Sequence, residues 1–218
     1  MSGFYQNLLN ETQQERSKMT SIPIIQQALR GDISKDQYVA FLGQAYHHVR
    51  HTVPLLMACG SRLTNSHYWL QEAIAEYIDE ELGHDEWILN DIRACGGNAE
   101  IVRKSGPNFA TEMMVSYAYH QIDRRNPLGF FGMVHVLEGT SVALATNAAS
   151  SIQNSLNLPD SAFSYLSSHG SLDQSHVKFF EDLMNKVDQS TDQQDILHCA
   201  SRFYRLYGDV FRSLPAIQ

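Results

Sequence analysis

Helix start and stop signals recur along the whole chain, and they constrain its fold more than any other feature. Ser34 stands three residues before Gln37, the spacing of a capping box, and Gly96-Gly97 closes the periodic segment that ends at Cys95. No segment alternates apolar and polar residues for long, as half-buried strands do. The sequence therefore predicts an all-α fold, a compact bundle of seven or eight helices that spans residues 1–218 as a single domain.

The same signals place the individual helices. They predict helices over residues 3–19, 22–29, 35–60, 65–95, 109–123, 127–156, 160–187 and 192–214. Pro54 should kink the third of these, and Pro127 suits a first helical position. Ser190-Thr191-Asp192 is expected to cap the last helix. No internal repeat and no linker interrupts this series.

Composition and charge exclude several classes of protein. Hydrophobic residues make up 43% of the chain, which supplies a core and excludes general disorder. No stretch of 18 uninterrupted apolar residues occurs, so we expect no membrane span, and no secretory signal is apparent. The net charge of −8 argues against nucleic acid as the main partner, because an acidic surface repels phosphate backbones.

Three cysteines, Cys59, Cys95 and Cys199, lie far apart in the sequence. Their odd number and the absence of a CxxC motif indicate a reduced, cytoplasmic protein. Each is expected to be a small core residue, because none lies in a motif that would activate a nucleophile.

Glutamate and histidine occur together in the segment 80–86, within the predicted helix 65–95. Glu81 and His84 are three residues apart, so on a helix they share a face and can converge on one metal ion. Glu80 with His84 is a second pairing that the spacing allows. The alternative interpretation, a solvated acidic face with a salt-bridged histidine, suits the segment when it is taken alone.

Glu138 has almost only apolar or small neighbours in the segment 130–145, which predicts a helix buried on most faces. A buried carboxylate is costly unless it is paired or binds a metal ion, so Glu138 is a stronger ligand candidate than an exposed glutamate. His135, one turn earlier, is expected to support this site or to be a core residue.

The third candidate element comprises His169, Asp173 and His176, at positions i, i+4 and i+7. On one continuous helix this spacing puts all three on one face. Gly170-Ser171 could break the helix and leave His169 in a loop. Together the three segments offer carboxylates and imidazoles without a thiolate, a donor set that favours iron or manganese in a mononuclear or dinuclear site.

Residues 44–51 form a polar segment that could line a substrate pocket. Gln44 and His48 share one helix face, and His51 lies one turn further along the chain. Arg50 is a candidate to bind a substrate carboxylate through a bidentate pair. The alternative for the segment 44–51 is the polar face of a plain surface helix. Tyr77 is a further candidate for the pocket wall, and its alternative is a plain core residue.

Three features resemble the haem-oxygenase-like di-iron oxidases: the segment 80–97, the helix that carries Glu138, and the spacing of His169, Asp173 and His176. The resemblance covers residues 34–214 in helix order and length. It implies that Glu81, His84, Glu138, His169, Asp173 and His176 are metal ligands, since every expected ligand type stands at a matching position. The two residues between Glu81 and His84 are similar to the spacing in a fatty-acid decarboxylase of this group. The implied cofactor is Fe(II)/Fe(III), as two ions, with manganese as an alternative and O₂ as co-substrate.

The sequence differs from two other groups of proteins with this fold, the thiaminases and the true haem oxygenases, and these differences limit the activities that we expect. Thiaminases of this fold rely on a cysteine in the helix that here carries Glu138, and no cysteine lies between Cys95 and Cys199. True haem oxygenases take their iron-ligating histidine from the first helix, whereas the first histidine here is His47. The resemblance therefore implies an oxidase acting on a small organic molecule such as a fatty or amino acid derivative, with a homodimer as the candidate assembly. The alternative is a metal-free small-molecule-binding or cofactor-biosynthesis protein.

Overall fold

The computed structural model of the chain describes residues 3–171 and 173–216, and the side chains of residues 169–176 lie outside the described part. The described residues form thirteen α-helices and contain no β-strand, which confirms the all-α prediction. The helices are α1 (Phe4–Glu11), α2 (Gln13–Thr20), α3 (Pro23–Arg30), α4 (Lys35–Val49), α5 (Thr52–Ser61), α6 (Leu70–Glu81), α7 (His84–Ala94), α8 (Ala99–Lys104), α9 (Phe109–Arg124), α10 (Phe130–Leu156), α11 (Ser164–Ser171), α12 (Asp173–Met184) and α13 (Ser190–Arg212). Short 3₁₀ turns lie at Asn65–His67, Pro127–Gly129 and Asp160–Ala162. The count exceeds eight because several of the predicted long helices are divided.

The division between α4 and α5 follows from Pro54. The capping box at the start of α4 is present, since Ser34 Oγ accepts a hydrogen bond from the Gln37 amide and Gln37 Oε1 accepts one from the Ser34 amide. The helix ends at Val49, and α5 begins at Thr52. Proline has no N–H to donate to the carbonyl four residues earlier, and its ring clashes there. The helix that was predicted to bend at Pro54 is therefore interrupted, and the interruption lies at Arg50 and His51, just before the proline.

A second break separates α6 from α7, and here the prediction of one helix over residues 65–95 is wrong. Leu82 is extended, and Gly83 has φ +88°, a left-handed conformation that interrupts the helical hydrogen bonds. Glycine adopts this conformation readily because it has no Cβ. The predicted segment thus becomes two helices whose junction lies between Glu81 and His84.

The helix α10 runs through the middle of the described structure and joins two apolar clusters. Its first half contributes Phe131 and Val136 to a cluster built with α1, α9 and α13. Its second half contributes Ala149 and Ile152 to a cluster with α4, α7 and α11. Gly132 lets α13 come close, because a Cβ there would lie 2.5 Å from the Ala200 amide nitrogen.

The start of α11 is held by a carboxylate from another helix. Asp91 of α7 is fully buried, and it accepts hydrogen bonds from the Ser164 amide at 3.0 Å, the Tyr165 amide at 2.9 Å and the Ser164 hydroxyl. These amides lie in the first turn of α11, where backbone N–H groups have no hydrogen-bond partner within the helix. Asp91 therefore fixes the position of α11 against α7.

The predicted cap of the last helix is wrong. The α13 helix begins at Ser190 with Gln189 before it, and no side chain caps that end. Asp192 instead binds His67 Nε2 and Asn126 Nδ2, each at 2.8 Å, and so ties α13 to the segment before α6 and to the segment before α10. Asp192, predicted to help cap the start of the last helix, thus joins three parts of the structure.

One segment of the described residues, Pro127–Leu156, is long and apolar enough by composition to cross a membrane. Of its most apolar window, 56% is buried inside the protein, the pattern of a core helix that packs against other helices.

Candidate functional site

The break between α6 and α7 brings a carboxylate and an imidazole together. Glu81 is the last residue of α6 and His84 the first of α7, and His84 Nδ1 lies 3.1 Å from Glu81 Oε2. The side chain of His84 is 6% exposed and that of Glu81 is 21% exposed. The pair predicted from helical spacing is therefore adjacent, although a helix junction and not a continuous helix places it.

His84 is also fixed by an aromatic contact. The Trp87 ring lies 4.2 Å from the His84 ring, centroid to centroid, with the planes tilted by 34°. Trp87 itself is 37% exposed, so it covers His84 from the solvent side. This contact limits the rotation of the imidazole.

Glu138 lies in the middle of α10 and shares a cavity with Glu81, which we call the carboxylate cavity. Its walls are otherwise mostly apolar, with Leu55 and Leu56 from α5 and Met133 from α10. Two carboxylates from separate helices thus face one small, poorly hydrated space. A carboxylate in an apolar cavity is costly unless it is paired or binds a cation, so this lining favours a bound cation.

Tyr77 of α6, which the sequence analysis names as a pocket candidate, lines the same cavity. Burial raises the pKa of its hydroxyl far above the usual value of a tyrosine, and the nearby Glu138 and Glu80 carboxylates raise it further. Tyr77 is therefore a neutral hydrogen-bond donor at every physiological pH. Glu81 lines the cavity and contacts His84, which favours it over Glu80 as the candidate ligand.

Of the other predicted pocket residues, His48 lines the carboxylate cavity and packs edge-on against Tyr207, with ring centroids 5.8 Å apart. Gln44 instead joins α4 to the start of α9, because its Oε1 accepts hydrogen bonds from the Asn108 amide and the Thr111 hydroxyl. His51 Nδ1 lies 3.2 Å from the Tyr119 hydroxyl, on the side of α5 that faces α9. Neither of these two belongs to the described lining of the carboxylate cavity.

Arg50, which the sequence suggested as a binder of a substrate carboxylate, does not belong to the described lining of the carboxylate cavity. It is exposed, and its guanidinium carbon lies 5.5 Å from the centre of the Tyr46 ring. The interaction is a cation–π contact on the surface.

A second cavity adjoins the first, and we call it the apolar cavity. The two share Ser141, Tyr165 and Tyr207, so these side chains form a common wall. The remaining lining comes from α3, α4, α10, α11 and α13 and includes residues such as Ile25, Phe41, Leu144, Ala148 and Ile152. Among the residues that the structure describes, no charged side chain lines this cavity.

Tyr165 and Tyr207 were not identified from the sequence as pocket residues. Both are at least 94% buried, and burial raises the pKa of each hydroxyl above its usual value. Aromatic residues at helical spacing are typical of any core, so no signal distinguished them. Their position between two cavities depends on how α11 and α13 pack against α10.

The third predicted ligand segment, His169, Asp173 and His176, has its side chains outside the described residues. The structure describes α11 to Ser171 and α12 from Asp173, and residue 172 between them lies outside the described residues. In the described part of the chain, no three His, Cys, Asp or Glu side chains form a group that could hold a metal ion. Glu81, His84 and Glu138 are the predicted ligands that the structure describes in full.

Comparison with protein families gives one match. The family model described as "Iron-containing redox enzyme" matches residues 39–208. The match includes α5 to α12 and most of α4 and α13, with every candidate ligand. A search of the curated proteins gives no match.

Solved structures with the same architecture come from several organisms. A domain of unknown function with a haem-oxygenase-like fold from Shewanella denitrificans has a TM-score of 0.86 at 20% identity, covering 97% of this chain and 91% of that one. A TenA homologue from Pseudomonas syringae has a TM-score of 0.81 at 11% identity, covering 96% and 91%. Haem oxygenase-1 from Synechocystis, in complex with haem, has a TM-score of 0.76 at 13% identity, covering 97% and 91%. At these identities the similarity shows the fold alone.

Proposed function

The chain belongs to the family of iron-containing redox enzymes with a haem-oxygenase-like fold, and from this premise we propose that it is a non-haem di-iron oxidase or oxygenase. In this proposal it uses O₂ to oxidise a small organic molecule, such as a fatty or amino acid derivative. The observation that carries the proposal is the carboxylate cavity, whose lining includes Glu138 of α10 and Glu81 of α6, the latter hydrogen-bonded to His84.

The donor set of this chain fits iron. Carboxylate and imidazole together suit iron or manganese, and no thiolate is near. Glu81, His84 and Glu138 would hold the metal together with His169, Asp173 and His176. Bound iron supplies the activation of O₂ and accepts electrons from the substrate, chemistry that amino acid side chains cannot perform alone.

The remaining lining residues then have specific tasks. The hydroxyl of Tyr77 is buried and stays protonated, so it would donate a hydrogen bond to a bound substrate and orient it. The apolar residues of α5 and α10 exclude water. The volume of the carboxylate cavity is about 70 Å³, which is room for bound ions or a few water molecules.

The test is anaerobic titration of the metal-free protein with Fe(II), followed by exposure to O₂ under absorbance detection. We expect near-stoichiometric binding of two ions and an absorbance change on oxidation. Glu138→Gln preserves the shape of the side chain but removes its charge, so it should lose iron. His176→Ala should lose iron as well.

The matched control is Glu76→Gln, because Glu76 is an exposed residue of the same helix as Glu81, and this variant should bind iron as the wild type does. Equal iron binding by wild type and Glu138→Gln would refute the site, and Mn(II) in place of Fe(II) tests the alternative metal.

A metal-free small-molecule-binding or cofactor-biosynthesis protein is the second candidate. It is favoured by the similarity to TenA homologues and by the fact that no three-ligand group occurs among the described side chains. Under this hypothesis Glu81 and Glu138 are hydrogen-bond acceptors for a ligand. Activity or ligand binding that survives exhaustive chelation would favour it over the oxidase.

We also propose a cellular location and an oligomeric state for the protein. The three cysteines are free and buried, and burial raises the pKa of the Cys59 thiol to about 12, as expected of unreactive core residues in a reducing cytoplasm. We propose that residues 1–218 act as one helical domain and assemble as a homodimer, which light scattering of the purified protein would test. A monomeric mass would contradict the dimer without affecting the proposed chemistry.

A further inference from the structure

A third cavity, which we call the arginine cavity, lies on another face of α10. It shares Glu138 with the carboxylate cavity, so the two spaces meet at that side chain. The polar part of its lining comes from α1, α2, α10 and α13 and comprises Tyr5, Arg16, His135, Glu138 and Tyr204.

Arg16 provides the positive charge of this cavity. It is half-buried, and it forms no ion pair with any residue that the structure describes. His135 beside it is 4% exposed, and its Nε2 lies 3.3 Å from the Thr12 hydroxyl and 3.5 Å from the Tyr204 hydroxyl. Burial, together with the charge of Arg16, lowers the pKa of His135 to about 4. His135 is therefore neutral at physiological pH, and Arg16 is the one cation in the described lining.

The rest of the described lining of the arginine cavity is mostly apolar. It comprises Leu9, Val142, Ala143, Val177 and Phe180. Gly139 follows Glu138 in this lining, and an added Cβ there would meet no described atom within 4 Å. One guanidinium within a mostly apolar lining complements a molecule with an anionic head and an apolar body.

The balance of charge differs in the other two cavities. The apolar cavity has no charged side chain in its described lining. The carboxylate cavity is lined by Glu81 and Glu138 without an arginine or lysine, and so repels an anion in the absence of metal, whereas in the arginine cavity Arg16 offsets the single carboxylate Glu138. Arginine is well suited to a carboxylate because its planar fork donates two parallel hydrogen bonds. Among the described cavities, the arginine cavity is thus the one that fits an organic acid.

The surface outside this cavity is basic, although the whole chain carries a charge of −8. A surface depression next to Tyr204 is lined by Lys18, Arg202, Arg205 and Arg212, with Glu15 and Asp209 as the acidic residues. Tyr204 lines both this depression and the arginine cavity. Lys18 and Arg212 pair with Glu15 and Asp209, which leaves Arg202 and Arg205 as the excess positive charge near Tyr204. This excess favours the approach of anions to this part of the surface.

We propose that the arginine cavity binds a small organic carboxylate, with Arg16 pairing to the carboxylate group and the apolar lining residues covering the body of the molecule. Binding as such does not depend on iron. The further step, in which the bound acid is oxidised next to Glu138, rests on the proposed function.

The test is calorimetric titration of the metal-free protein with hexanoate and, separately, with 1-hexanol, which has the same chain without the charge. We expect saturable binding of hexanoate that is at least tenfold tighter than that of hexanol, the usual effect of a charge-assisted pair. Arg16→Gln should reduce hexanoate affinity about tenfold or more, to the level of the alcohol. Arg16→Lys, which retains the charge without the fork, should lie between. Arg62→Gln, an exposed arginine paired with Asp123, is the matched control and should not change binding.

A second variant tests the cavity without altering the charge. Gly139→Leu fills the open space and favours the helix, because leucine has a higher helix propensity than glycine. It should abolish hexanoate binding while circular dichroism remains that of the wild type. Equal affinity for hexanoate and hexanol would overturn the proposal, as would hexanoate binding that neither Arg16→Gln nor Gly139→Leu weakens. Since no iron is present, a failed iron titration combined with Arg16-dependent binding would refute the oxidase alone.

Discussion

Acidification should destabilise this protein through His135, and the size of the effect follows from its buried position. Burial is the larger cause of its low pKa, about 4, and the charge of Arg16 adds to it. In the unfolded chain the pKa returns to its usual value of about 6.5. Between these two values the unfolded state binds the proton more tightly. The stability contribution is therefore present above pH 6.5 and is lost as pH falls towards 4. The integrated loss relative to pH 7 is about 2 kcal/mol at pH 5 and about 3 kcal/mol at pH 4.

The assay is urea unfolding of metal-free protein, followed by far-ultraviolet circular dichroism at pH 7, 5 and 4. The free energy of unfolding of the wild type is compared with that of His135→Gln, whose amide does not titrate. Other groups titrate in both proteins and cancel in the difference, so the wild type should lose about 3 kcal/mol more than the variant by pH 4. His120→Gln, an exposed histidine of α9, is the control and should match the wild type. Equal losses by wild type and His135→Gln would show that the histidine is not buried in its neutral form.

Three further substitutions test the helix architecture by chemical denaturation. Gly139→Ala should stabilise the protein by about 1 kcal/mol, because alanine favours the helix and the added methyl meets open space; any loss of stability would contradict that open space. Gly83→Ala should destabilise it by about 1–2 kcal/mol, since φ is +88° there, and a neutral result would mean that the α6–α7 junction is not left-handed. Asp91→Ala should cost about 3 kcal/mol because it leaves the first amides of α11 without partners, and a loss well below about 1 kcal/mol would argue against that tether.

Much of the fold follows from local sequence signals. The capping box at Ser34 and Gln37 and the glycine stop at Gly96 depend on a few adjacent residues, and both occur as predicted. The helix breaks at Arg50-His51 and Leu82-Gly83 were harder to predict. A single glycine within a periodic segment is compatible with a continuous helix, and the packing of α6 and α7 decides between the alternatives.

The candidate site was predictable in its residues more than in its geometry. Glu81 and His84 are adjacent, but through a helix break and not through helical spacing. Glu138 was identified because a carboxylate among apolar neighbours is costly. Arg16 carries no such signal, since its segment is mostly polar and resembles a surface helix. Only the packing of α2 against α13 turns it towards a cavity, while the more conspicuous Arg50 stays on the surface.

The long helix α10 contributes to the lining of all three cavities, and apart from Glu138 and Ser141, which two cavities share, each of its lining positions belongs to one cavity. Residues such as Met133 face the carboxylate cavity, those such as Val142 the arginine cavity, and those such as Ala148 the apolar cavity. A point substitution at one of these positions reshapes one compartment and leaves the other two alone. An insertion of one residue turns every later side chain by about 100° and exchanges the compartments that they serve. Evolution or design can therefore retune the three spaces independently by substitution, whereas the length of α10 ahead of Glu138 is fixed by all of them together.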